Sequence, residues 1–164
     1  WTAWQEGRGS GLVIGQTAPE FELAGLPGVN GRTGFALVGS RGKEPVLVHF
    51  WASWCPPCVA ELPAFLKFAE WARGLGIVVL AVSVDENVKA IDNLFAEKRL
   101  WPSRKLPFTI LWDGGARVSG QYGTTKYPET FVIGRDGKVL RKFDGPQDWL
   151  DKEMIRWFSD LTKK

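Results

Sequence analysis

Apolar residues in this chain fall into two kinds of run. VLVHFW (46–51) and IVVLAVSV (77–84) are continuous and rich in β-branched side chains, the pattern of strands buried on both faces. Between them, residues 59–73 set Leu62, Phe65, Leu66 and Ala69 on one stripe at helical spacing. Pro63 lies inside that stretch and is expected to kink the helix. Strand, helix, strand in this order predicts a βαβ unit with parallel pairing. ENVKAIDNLFAEKRL predicts a second helix with Val88, Ile91, Leu94 and Phe95 inward, and FTILW (108–112) a third core strand. TFVIGRDGKVLRKF reads as a hairpin, two apolar runs around Arg135-Asp136-Gly137. The chain closes with an amphipathic helix carrying Leu150, Met154, Trp157, Phe158 and Leu161. APEFEL and GRTGFALVGSRGKEP, upstream, read as short strands and turns. Together these elements predict an α/β sandwich with a mixed central sheet.

Length and composition narrow the class without changing this picture. At 164 residues, with no internal repeat, the chain suits one domain able to bury a core without disulfide staples. A hydrophobic content of 45% beside 24% charged residues is globular rather than disordered. A net charge of +3 with no long Lys/Arg cluster gives no footprint for nucleic acid. No apolar stretch reaches the roughly 18 residues of a transmembrane helix. The first residue is Trp1, and residues 1–14 read as a flexible lead before a domain spanning 15–164. Trp1 and Trp4 fit either the remnant of a membrane-interface belt beside an upstream anchor or an unstructured tail.

The only two cysteines stand in FWASWCPPCVAE, directly after the first buried strand. A structural zinc site wants four Cys or His ligands, and the chain offers Cys55, Cys58 and one histidine, His49. As a staple, a loop of about four residues removes roughly 2 kcal/mol of unfolded-state entropy, against nearly 5 for a loop of about a hundred. A cycling dithiol accounts for more of the pattern. At the start of a helix, unpaired amides and the positive end of the dipole stabilise a Cys55 thiolate, and Cys58 lies on the same face. Pro57 suits the first turn because its missing N–H has no helical acceptor to lose. Pro56 likewise brings no donor to the Cys55 sulfur, whereas the amide of Cys58 remains available.

VLVHFWASWCPPCVAELP resembles the active-site segment of thioredoxin-like thiol–disulfide oxidoreductases, above all the TlpA/ResA-like and cytochrome c maturation branch of bacterial envelopes. GQTAPEFEL, YPETFVIGRDGKV and GPQDWLDKEMIRWF agree with it, so the resemblance spans about Gly15 to Leu161. It implies a three-layer α/β/α sandwich with an N-terminal strand or hairpin extension. Cys55 would be the nucleophile and Cys58 the resolving thiol, with Trp54 packed beside the disulfide and Pro128 a cis-proline facing it. Glu61 falls where the branch carries a helix carboxylate thought to influence thiol protonation; otherwise it is a solvent-facing helix residue. Glu129 is a second candidate of that kind.

Two positions depart from the family. His49 stands where the branch often has Asn, and is either a hydrogen-bonded core residue or a proton relay to Cys58. Tyr127 replaces a commonly smaller residue before Pro128. The resemblance further implies no cofactor, a disulfide-bearing client, a membrane-embedded dithiol donor, a monomer and an extracytoplasmic location, with apocytochrome c or copper-site proteins as clients. Three rivals stay open. A thiol oxidant or isomerase would use the same fold, and a Cu(I)- or client-binding module would use the same thiols. A peroxiredoxin-type peroxidase wants Thr three residues before its cysteine, where this chain has Ala52.

Overall fold

The computed structural model describes residues 11–26, 34–100 and 106–163. Five strands form the central sheet: β3 (Val46–Trp51), β4 (Val78–Ser83), β5 (Thr109–Trp112), β6 (Glu129–Ile133) and β7 (Val139–Asp144), in the spatial order β5-β4-β3-β6-β7. The β3·β4 and β4·β5 pairs are parallel; β3·β6 and β6·β7 are antiparallel. β3 lies at the centre with every residue buried, as its unbroken apolar run requires of a strand covered on both sides.

Side-chain alternation along the strands divides the core in two. Leu47, Trp51, Val79, Ala81 and Val132 face the helices α1 (Pro56–Gly74), α2 (Val88–Lys98) and α4 (Lys152–Leu161). Val46, Val48, Phe50, Leu80 and Phe131 face the other way, towards the short helix α3 (Arg117–Gln121) and the N-terminal segment. There β1 (Glu22–Ala24) and β2 (Gly34–Ala36) pair antiparallel, ahead of a 3₁₀ turn at Leu37–Ser40. The sandwich and its mixed sheet are those the pattern predicts.

Several boundaries differ. α1 begins at Pro56 rather than residue 59, because both prolines take first-turn positions where no N–H is needed. It runs from Pro56 to Gly74 as one helix with Pro63 inside it. Asn87 caps α2 by accepting from the Lys89 amide, trimming the predicted 86–100 stretch. Leu150 precedes α4 and is 45% exposed, since Asp151 is the N-cap. α3 lies in a glycine-rich stretch that carries no helical pattern. Of the predicted lead, residues 1–10 lie outside the described residues. Leu12, however, is buried, and its amide donates to the Tyr122 carbonyl, so packing reaches upstream of Gly15.

Candidate active site

The site grows from the end of β3. The chain leaves the sheet at Trp51, turns through Ala52–Trp54 and enters α1, with Cys55 as its N-cap. Cys55 and Cys58 are joined as a disulfide, their Cα atoms 5.3 Å apart. The Cys58 amide donates to Cys55 Sγ at 3.3 Å. A helix N-terminus thus turns one of its unpaired donors on this sulfur, an arrangement that stabilises negative charge when the bond opens. Pro56 and Pro57 are exposed beside it, and both sulfurs are otherwise shielded, Cys58 more than Cys55.

The loop before the helix is pinned from below. Asp85, buried just past β4, accepts from the Ser53 amide (3.0 and 3.2 Å), the Ser53 hydroxyl (2.5 Å) and the Ser83 hydroxyl (2.6 Å). Its own carbonyl accepts from the Trp112 indole at 2.6 Å. The carboxylate is therefore fully engaged and fixes the loop two residues before the nucleophile.

Across from the disulfide, the Tyr127–Pro128 peptide bond is cis, and the Tyr127 carbonyl oxygen lies 3.4 Å from Cys55 Sγ. The Tyr127 ring stands edge-on to Trp54, centroids 6.0 Å apart, and its hydroxyl bonds to Ser119 at 3.0 Å. Ser119 belongs to α3, whose first amides at Arg117, Val118 and Ser119 donate to buried Asp113. Trp54, the residue before Cys55, is 63% exposed, so it and Tyr127 meet at the surface.

Beneath Cys58 lies a polar group inside the apolar core. Glu61, one turn further along α1, is buried, which removes the solvent-facing alternative. One carboxylate oxygen accepts from the Gln147 amide (3.0 Å) and the Trp149 indole (3.1 Å). The other lies 3.2 Å from His49 Nε2, outside hydrogen-bond alignment, and neither atom has another partner. His49 Nδ1 is paired with the Thr130 hydroxyl at 2.8 Å, and the ring stacks on Phe65 at 4.1 Å.

Glu129 is placed differently from Glu61. Because Thr130 points to His49 on the α1 face, its neighbour Glu129 points to the opposite face of the sheet. It is buried there, accepting from the Thr124 hydroxyl at 2.5 Å, with Lys142 at 3.8 Å. Burial, with Asp144 hydrogen-bonded beside it, pushes its carboxyl up to about 7 against the opposing effects of Thr124 and Lys142. Among the described residues, no cluster of three His, Cys, Asp or Glu side chains could hold a metal, and no helix is long and apolar enough to cross a membrane.

The model of the AhpC/TSA family matches residues 14–142. The chain belongs to the AhpC/TSA family. Within this family, ResA thiol–disulfide oxidoreductases are similar over most of the chain. The ResA of Geobacillus thermodenitrificans is 34% identical over 152 residues, covering 93% of this chain and 79% of the relative. That of Bacillus anthracis is 32% identical over 136 residues, 83% of this chain and 72% of the relative. Among solved structures, a Chlorobium tepidum chain assigned as the thiol:disulfide interchange protein DsbE superposes with a TM-score of 0.75 at 26% identity, covering 92% of this chain and 99% of that one. This AhpC/TSA member is a thiol–disulfide oxidoreductase with a thioredoxin-like fold.

Sequence reasoning missed the supports of this AhpC/TSA site: Ser53, Asp85, Asp113, Ser119, Thr124, Thr130 and Trp149. Asp85 carried a usable signal, an acid just past the carboxyl end of a buried parallel strand, where α/β sheets gather their functional groups. Thr130 and Trp149 carried none, since each acquires its polar partner only through long-range packing.

Proposed function

We propose that this oxidoreductase is a reductant of particular protein disulfides in an oxidising extracytoplasmic compartment, with Cys55 as nucleophile and Cys58 as resolving thiol. The observation that carries the reading is the Cys55–Cys58 pair at the helix N-terminus with Pro128 opposite. A Cys55 thiolate attacks one sulfur of the client disulfide, and the first client thiolate leaves. Cys58, once deprotonated, attacks Cys55 Sγ in the mixed disulfide, and the second client thiolate leaves. Two electrons pass to the client, whose thiolates take up two protons, and Cys55–Cys58 is left oxidised. A membrane-embedded dithiol donor reverses the two steps. Client thiols of apocytochrome c or of copper-site proteins are of the kind this chemistry keeps reduced, and the protein acts as a monomer. An anchor upstream of Trp1 would hold it at the membrane.

In this reading Pro128 and Tyr127 present backbone to an extended client segment, and Trp54 borders the same surface. Pro57 sets the helix start. Glu61 and His49 hold and pass the proton of Cys58, supported by the facing Glu61 Oε1 and His49 Nε2 atoms that nothing else engages. Equilibration in thiol–disulfide buffers at pH 7, read by tryptophan emission and thiol alkylation, tests the direction. A potential near or below roughly −270 mV supports a reductant, and one near about −120 mV makes the protein an oxidant.

A further inference from the structure

The loop that delivers Pro128 to the disulfide is closed on itself by a side-chain bond. Thr124 begins it and Glu129 ends it, with the Thr124 hydroxyl donating to Glu129 Oε1 at 2.5 Å. Both residues are buried, and between them lie exposed Thr125 and Lys126, then Tyr127 and Pro128. The far ends are anchored too: the Thr124 amide donates to the Ser119 carbonyl, and the Gly145 amide to the Pro128 carbonyl. Glu129 itself sits on the sheet face opposite Glu61 and takes no part in the group beneath Cys58.

We propose that Glu129 is a positioning residue for client binding: by holding Thr124 it closes the loop carrying Tyr127 and Pro128, and its protonation sets how firmly that loop meets an extended client segment. This rests on the reading that Pro128 and Tyr127 present backbone to the client. The groups facing Glu129 give the direction. Thr124 lies on the loop side, Lys142 and Asp144 come from β7, and β3 offers apolar Phe50 as its register partner. Ionised, Glu129 accepts a charge-assisted bond from Thr124, the stronger kind. Protonated, it carries a proton that Asp144 can accept, and the loop loses the stronger closure. The carboxyl titrates near 7, so the change falls within the working range of thiol exchange.

The test follows exchange of the full chain with a synthetic linear peptide holding one disulfide, and with the small disulfide of 2-mercaptoethanol. Reduced protein is mixed with each disulfide and oxidised protein with each dithiol or thiol. The loop is thus probed whichever direction the protein runs, and the measured potential judges the reductant reading separately. For Glu129→Gln and Thr124→Val, the peptide's half-saturation concentration is expected to rise about tenfold at pH 8 with a limiting rate within twofold of the parent. Thr124→Ser restores it. In the parent protein the half-saturation concentration should rise as pH falls through about 7, and this rise should be absent in Glu129→Gln. Equal losses for peptide and small disulfide, or an unaltered pH profile in Glu129→Gln, would overturn the inference.

Discussion

Cys55 owes its chemistry to a local arrangement, a sulfur capping a helix whose first two residues have no N–H to offer. That leaves the Cys58 amide as the donor turned on it. Cys58→Ser should accordingly stop turnover at the first step and accumulate a mixed disulfide through Cys55, seen as an added client mass under non-reducing conditions. Cys55→Ser should form none. Glu61 is a different case. Truncation to Ala strips the acceptor from the Gln147 amide and the Trp149 indole and should cost on the order of 2–3 kcal/mol, measured by urea unfolding. If His49 shares in moving the Cys58 proton, His49→Asn should displace the pH profile of exchange beyond any loss of core packing; an unchanged profile would assign the histidine to the core alone. The two cysteines were legible because their spacing sits beside a strand and a helix start. The His49–Glu61 approach was not, because β3 and α1 meet only after the chain has turned through the active-site loop.

Strands and long helices declared themselves through periodicity, and the supports between them did not. α3 is five residues in a stretch punctuated by Gly114, Gly115 and Gly120, too short to print a helical stripe. Its existence rests on Asp113 taking three amides, and through Ser119 it carries Tyr127. Asp113→Ala should lower stability by about 1–2 kcal/mol and loosen Tyr127 against Trp54, seen as altered tryptophan emission from the oxidised protein. Asp85 supports the opposite side of the disulfide. Asp85→Ala leaves the Ser53 and Ser83 donors without their acceptor and should cost on the order of 1–3 kcal/mol, read as a lower urea midpoint.

At the scale of the whole molecule, Glu129 ties stability to pH. Its folded value of about 7 lies above the ordinary 4.5, so the folded state holds this proton more tightly than the unfolded chain. The contribution is fully present below about pH 4.5 and is lost as pH rises through about 7. Relative to the parent, Glu129→Gln should therefore gain stability between pH 5.5 and 8.5, on the order of 1–2 kcal/mol after allowing for solvent screening, measured as the difference in urea unfolding. The same carboxylate shows where sequence reading reaches its limit. Glu61 and Glu129 look alike along the chain, each an acid shortly after a site residue, Cys58 for one and Pro128 for the other, yet they lie on opposite faces of one sheet. The sandwich, the parallel core strands and the paired thiols at a helix start were legible in the sequence, because hydrophobic period, turn chemistry and cysteine spacing act over a few residues. Which acid lies beneath Cys58, which one bonds Thr124 at the start of the Pro128 loop, and that Asp85 pins the loop before Cys55 emerged only from the fold. Those partners come from segments distant in the chain, and packing alone brings them within hydrogen-bond reach.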